Sequence, residues 1–141
     1  MPGVVDCRLV ANQPGRKPAS MKSSPNGHPT ILVVEDDWFV RDDLINVFED
    51  NGWNVMAVAS GEEALVLLDP PVGIDVVFTD IQLAGSTTGW EVGGAAKTAG
   101  NLPVIYTSGK VSADLGTDWS FFAKPYDAAA VVEACRIAIL H

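Results

Sequence analysis

Short apolar runs alternate with segments of helical period from Thr30 onwards. The runs are rich in Val and Ile, and they predict five strands at about 30–35, 53–58, 74–79, 102–107 and 119–123. Between them, apolar residues recur on one helical face, as Val40, Leu44, Val47 and Phe48 do. This alternation predicts an α/β fold, in which a parallel sheet carries helices on both faces.

Local signals place the remaining helices. Ser60 and Glu63 read as a capping box that opens a short helix through Leu68. A third helix is predicted from Trp90 to about Ala99. The apolar stripe of the last helix comprises Ala128, Val131, Val132, Cys135 and Ile139. Strands 1 and 3 have continuous apolar runs, so we expect both of their faces to be buried.

Residues 1–28 differ from the rest because they are rich in Pro, Gly, Ser and Asn. We interpret them as a flexible leader before one domain at 29–141. The net charge of −9 disfavours binding to nucleic acid or to anionic membranes. No run is long enough to span a bilayer and no signal-peptide pattern is present, so the chain reads as cytoplasmic.

Polar side chains follow four of the predicted strands. Glu35 and Asp36 follow the first strand, Asp80 the third, Ser108 the fourth and Lys124 the fifth. Ligands of open parallel sheets bind outside the carboxyl ends of the strands, so these groups are expected to form one site. Three carboxylates at one point repel each other, and a hard cation such as Mg²⁺ (or Mn²⁺) relieves that repulsion.

Asp80 is the candidate nucleophile of this site, because carboxylates form aspartyl phosphates. Lys124 supplies a point charge for a phosphate oxygen, and Ser108 can donate a hydrogen bond to another. The alternative interpretation makes the acids helix caps and solvated loop charges. Asp36 or Asp37 does read as the cap of the first helix. Capping explains neither the lysine nor the hydroxyl at the two further strand ends.

Residues 30–141 resemble the receiver domain of two-component response regulators, of the CheY-like superfamily and of the chemotaxis-regulator and FixJ-like type. The matching segments are ILVVEDD (31–37), VVFTD (76–80), PVIYTSG (103–109) and FFAKPY (121–126). The resemblance implies a flavodoxin-like, doubly wound five-stranded sheet in the order 2-1-3-4-5. It also implies a cis peptide bond between Lys124 and Pro125.

The resemblance implies a phosphorelay function. Asp80 would accept a phosphoryl group from a histidine kinase or a histidine phosphotransferase. Glu35 and Asp36 would hold Mg²⁺, with Asp80 and the backbone carbonyl of Gln82 as further ligands. The chain would then be no enzyme beyond its own phosphoryl acceptance and dephosphorylation.

The resemblance also implies a switch and two tuning positions. Ser108 would be drawn toward the phosphoryl group, and Phe121 would turn into the vacated space. Phe121 is equally well explained as a strand aromatic with no switching role. Gln82 and Lys110 stand at the positions that tune phosphate lifetime, and we expect the Lys110 ammonium to shield the phosphoryl oxygens from water.

The sequence departs from the family pattern in three places. Ala84 and Gly85 stand where a proline is usual, and the segment 85–89 is one residue longer than in the chemotaxis type. Between Ser108 and Phe121 the chain is several residues shorter than usual. The fourth helix is therefore predicted to be short or missing, which leaves open whether the family's output surface applies to this chain.

Several readings compete with a phosphorylated receiver. The chain is expected to signal as a stand-alone receiver that binds an unknown downstream protein, or as a receiver from a hybrid kinase. A pseudo-receiver would act only as a protein-interaction module. An aspartyl-phosphate hydrolase of the haloacid-dehalogenase type needs a second acid where this chain has Gln82. A flavodoxin-like cofactor binder needs a Ser/Thr/Gly-rich first loop, whereas this loop is acidic.

Overall fold

The computed structural model describes residues 27–109 and 120–140. Its elements in chain order are β1 (Thr30–Val34), α1 (Trp38–Asp50), β2 (Asn54–Val58), α2 (Gly61–Leu67), β3 (Val76–Asp80), α3 (Gly89–Gly100), β4 (Val104–Ser108), β5 (Phe121–Ala123) and α4 (Ala128–Ile139). All strand pairs are parallel, and the sheet has the order β2-β1-β3-β4-β5. The predicted fold class and strand order are thereby confirmed.

The sheet separates two apolar cores. Alternate residues of β1 face opposite sides, so Ile31 joins the core under α1 and α4, and Leu32 joins the core under α2 and α3. Every residue of β1 and β3 is buried, as their continuous apolar runs predict. The stripe of α4 also packs inward, with Val131 and Cys135 fully buried. Burial on both faces explains why these central strands carry few polar residues.

The helices begin at capping residues. Asp37 caps α1, where its Oδ1 accepts hydrogen bonds from the amides of Phe39 and Val40 at 2.9 and 3.3 Å. The capping box at Ser60 is only half formed. Ser60 accepts from the Glu63 amide, but the Glu63 carboxylate accepts from the amide of the preceding residue, Ala59.

A complete capping box, which was not predicted, opens α3. The Thr88 side chain accepts from the Glu91 amide, and the Glu91 side chain accepts from the Thr88 amide. β3 and β4 each begin two residues later than predicted, at Val76 and Val104. Both strands instead extend to Asp80 and Ser108 themselves, because each backbone stays in register with its neighbour to that point.

Several expectations fall on residues outside the described ranges. These are the leader apart from its last two residues, the short or missing helix between β4 and β5, and the side chain of Lys110. The peptide bond between Lys124 and Pro125 is cis, as the resemblance implied. None of the helices described in 27–109 and 120–140 combines the length and the apolar character needed to cross a membrane.

Candidate functional site

Three carboxylates meet at the carboxyl edge of the sheet. Glu35 and Asp36 follow β1, and Asp80 is the last residue of β3, which pairs with β1. One carboxylate oxygen from each residue lies within 4.8 Å of the other two. Glu35 and Asp80 are buried, whereas Asp36 is exposed. Parallel pairing of two adjacent strands therefore produces the acidic cluster expected from the sequence.

The Lys124 ammonium lies between two of these carboxylates. Its Nζ is 2.7 Å from Oδ2 of Asp80 and 3.0 Å from Oε1 of Glu35. The backbone of Lys124 is anchored by its amide, which donates to the Ser108 carbonyl at 2.9 Å. Next to it, the ring of Tyr126 packs edge-on against Phe78 with ring centroids 5.6 Å apart. The lysine thus enters the site from a fixed backbone position.

The negative charges of the cluster are only partly balanced by Lys124. Burial raises the pKa of Glu35, and the Asp37 amide at 3.1 Å and the Lys124 ammonium offset that rise only in part. Burial alone would lower the pKa of Lys124, but hydrogen bonds and charges from Asp80 and Glu35 outweigh it, so the pKa is raised. With all groups ionised, three carboxylates and one ammonium leave two negative charges, which a divalent cation would neutralise.

The loop after β3 contacts the cluster through its backbone. The Gln82 amide donates to Oδ1 of Asp80 at 3.1 Å, and the Ala84 amide donates to Oδ2 of Asp36 at 3.0 Å. The Gln82 side chain also accepts a hydrogen bond from the Ser108 hydroxyl at 2.5 Å. Through these two hydrogen bonds, Gln82 connects Ser108, the buried last residue of β4, to Asp80.

Phe121 lies at the opposite end of β5 from Lys124. It is the first residue of β5, is partly buried and pairs with Tyr106 of β4. The Tyr106 ring packs in turn against Trp90, with ring centroids 4.7 Å apart. The switching role of Phe121 and the tuning roles of Gln82 and Lys110 stay predictions, and Lys110 lies outside the described residues.

Glu62, the second residue of α2, is a contact residue of this site that the sequence patterns do not predict. Its carboxylate reaches the loop after β3, where Oε2 accepts hydrogen bonds from Ser86 and Thr87. Locally, Glu62 looks like an ordinary acid in the first turn of a helix. No pattern within α2 indicates a partner more than twenty positions away.

The family model of the response regulator receiver domain matches residues 31–136. This chain belongs to that family. As a receiver domain of two-component response regulators, it carries the acidic cluster at the sheet edge where such domains bind Mg²⁺.

Curated relatives are about a quarter identical to this receiver domain over the aligned residues. It is 27% identical over 117 residues to the sensory transduction protein RegX3 of Mycobacterium tuberculosis, covering 78% of this chain and 50% of the relative. It is 26% identical over 106 residues to the aerobic respiration control protein ArcA of Escherichia coli, covering 70% and 43%. The chain therefore spans about half the length of the curated relatives it matches.

Solved receiver structures superpose over most of the chain. A response regulator receiver protein from Sinorhizobium medicae aligns with a TM-score of 0.74 and 29% identity, covering 80% of this chain and 95% of that one. The receiver domain of the hybrid histidine kinase CckA aligns with a TM-score of 0.65 and 28% identity, covering 78% and 98%. Both structural similarities cover about four fifths of this chain, which is far more than the residues of the candidate site.

Proposed function

We propose that this receiver domain accepts a phosphoryl group on Asp80 from the phosphohistidine of a histidine kinase or a histidine phosphotransferase. The domain acts in the cytoplasm, and it signals through phosphorylation-dependent binding of a downstream protein. Apart from accepting and losing its own phosphoryl group, it catalyses no reaction. The observation that supports this proposal is the position of Asp80, a buried carboxylate held between a lysine and two further acids.

The residues of the cluster fit a magnesium ion. All three donors are carboxylate oxygens, which are the ligands that Mg²⁺ and Mn²⁺ prefer, and they lie close enough to share one ion. Glu35, Asp36 and Asp80 would hold it, with the Gln82 carbonyl as a further ligand. The bound ion would neutralise charge on the phosphoryl oxygens during transfer.

The transfer step is a displacement at phosphorus. An oxygen of Asp80 forms the new O–P bond, while the P–N bond to the donor histidine breaks and its electron pair returns to the imidazole nitrogen. The ammonium of Lys124, already 2.7 Å from Asp80, offers its positive charge to a phosphoryl oxygen. Because Asp80 and Glu35 are buried, this attraction acts with less screening than it would in water.

The Ser108 hydroxyl supplies the conformational readout in this proposal. In the structure it donates to the side-chain oxygen of Gln82 at 2.5 Å. After phosphorylation it would leave Gln82 and donate to a phosphoryl oxygen instead. Phe121 would then change its packing against β4, which makes the charge at Asp80 detectable at the surface.

The proposal is tested with acetyl phosphate as a small phosphodonor. Wild-type protein with Mg²⁺ should gain the mass of one phosphoryl group, and the gain should disappear with chelator or in Asp80→Asn. Asp42→Asn, at an exposed position of α1, is the matched control and should still be phosphorylated. A wild type without mass gain would contradict phosphoryl acceptance and favour a pseudo-receiver.

The lifetime of the phosphoryl group tests the proposed tuning role of Lys110. We expect Lys110→Ala to shorten the half-life of labelled Asp80, because water would reach the phosphoryl oxygens more easily. An unchanged half-life would remove the shielding role of Lys110. Sustained release of phosphate from a phosphomonoester would instead indicate a hydrolase.

A further inference from the structure

The loop between β3 and α3 is closed at its base. The Gly89 amide donates to the Ile81 carbonyl at 2.9 Å, so the chain returns to the point where the loop began. Gly89 lies directly against the Asp80 carbonyl oxygen, where a β-carbon would collide with it. The base of the loop therefore contacts Asp80, the proposed phosphoryl acceptor, so the position of the loop affects the geometry of the site.

One side of the loop is held by Glu62 of α2. Oε2 of Glu62 accepts hydrogen bonds from the Ser86 amide at 3.1 Å, the Ser86 hydroxyl at 2.9 Å and the Thr87 amide at 3.1 Å. Hydrogen bonds from its own backbone amide and from these two residues lower the pKa of Glu62. The carboxylate is therefore ionised at neutral pH, and its hydrogen bonds are of the stronger, charge-assisted kind.

Packing supports the same contact. A β-carbon built on Gly61 would lie only 2.6 Å from Cγ2 of Thr87, so the loop rests directly on the first residue of α2. Thr87 is buried there, although its neighbours Ser86 and Thr88 are exposed. The contact between α2 and the loop thus includes close packing as well as hydrogen bonds.

The other side of the loop is held by Asp36. The Ala84 amide donates to Oδ2 of Asp36 at 3.0 Å, and only Gly85 separates Ala84 from Ser86. Gly85 has a φ of 96°, so the chain turns sharply between the two attachments. Because Asp36 is exposed, packing does little to orient it, and the Ala84 amide fixes one of its oxygens.

We propose that Glu62 is a positioning residue for the metal site. By holding Ser86 and Thr87 it fixes the Ala84 amide, which orients Asp36, and it fixes the backbone around Gln82. This inference rests on the proposed function, since it assumes that Asp36 is a magnesium ligand. Outer-shell partners of this kind set ligand orientation in other metal sites.

Adjacent glutamates of α2 allow a matched test. Glu63 lies in the same helical turn, but its carboxylate bonds only to Ala59 and Ser60 at the start of its own helix. We expect Glu62→Ala to weaken Mg²⁺ binding about tenfold, the lower end for outer-shell partners, and Glu63→Ala to change it less than about twofold. Glu62→Gln should restore part of the affinity, because its amide oxygen can still accept hydrogen bonds.

Calorimetric titration with Mg²⁺ measures the affinities, and denaturant unfolding of each variant measures stability. Amide hydrogen exchange of metal-free protein gives a separate readout, in which Glu62→Ala should expose the Ser86 and Thr87 amides and Glu63→Ala should not. If wild type binds Mg²⁺ and the two alanine variants bind it equally well, the positioning role is overturned.

A different result identifies failure of the proposed function. If wild type binds no Mg²⁺ and takes no phosphoryl group, the assignment of the metal site falls, and the positioning role falls with it. Failure of the positioning role alone leaves binding and phosphorylation of the wild type intact. The two failures are therefore distinguishable in one set of titrations.

Discussion

Replacing Lys124 by methionine tests the balance of charges in the metal-free site. Methionine keeps much of the length of the side chain but removes the ammonium, which leaves the carboxylates of Glu35 and Asp80 without their cation. We expect the variant to unfold more easily than wild type in the presence of a chelator. The expected size of the effect follows from the two distances and the burial of the partners.

At 2.7 and 3.0 Å, and with an effective dielectric constant of about 20, each ion pair has a gross attraction of about 5–6 kcal/mol. Desolvation offsets most of this, and removing one partner of a buried pair costs about 3–5 kcal/mol. The Lys124 side chain is 25% exposed, which permits some solvent screening. We therefore expect a loss near the lower end of that range, about 3 kcal/mol in the free energy of unfolding.

Urea unfolding in chelator and in excess Mg²⁺ is the assay. Mg²⁺ should reduce the difference in free energy of unfolding between Lys124→Met and wild type, because the variant has no ammonium to compete with the ion for the carboxylates. A ligand at a hundred times its Kd stabilises the folded protein that binds it by about 2.7 kcal/mol. Lys97→Met, in the exposed last turn of α3, removes the same charge and should cost at most about 1 kcal/mol.

The pH dependence has a defined sign. The pKa of Lys124 is raised in the folded protein, so its contribution is present below the ordinary lysine value of 10.5 and is lost as pH rises through the raised pKa. The difference in free energy of unfolding between Lys124→Met and wild type should disappear only at strongly alkaline pH. A variant as stable as wild type in chelator at neutral pH would refute the reasoning.

Three further predictions concern the scaffold. Gly94→Ala should stabilise the protein by up to about 1 kcal/mol, because no atom of the described residues lies within 4 Å of an added β-carbon. Gly93→Ala should destabilise it by about 1–3 kcal/mol, because the added β-carbon would collide with the Tyr106 hydroxyl. Thermal unfolding of both variants checks this, and equal effects would contradict it. Cys135 is buried, and burial raises the pKa of its thiol, so we expect alkylation at neutral pH to modify Cys135 only in unfolded protein. Mass spectrometry measures the modification, and rapid labelling of Cys135 in native protein would contradict its burial. Asp37→Ala should cost about 1 kcal/mol in denaturant unfolding through loss of the α1 cap, and Asp37→Asn should cost clearly less.

The sequence alone determined the fold class and the composition of the site. Continuous apolar runs identify β1 and β3 as strands buried on both faces, because apolar residues occupy consecutive positions within them, at 31–34 and at 76–78. Parallel strands bring their carboxyl ends to one edge, so the residues after them, Asp80 and Lys124 among others, could be expected to meet. The strand order and the cis bond at Pro125 came from the family resemblance and not from these patterns.

Only the tertiary structure decided how the site is held in place. The bonds from Ser86 to Glu62 and from Ser108 to Gln82 join residues 24 and 26 positions apart. Such contacts depend on sheet register and on how closely a loop packs against a helix, and neither is set by local propensity. Each of these hydrogen bonds requires two distant backbone positions to be fixed first, and burial of the two cores is what fixes them.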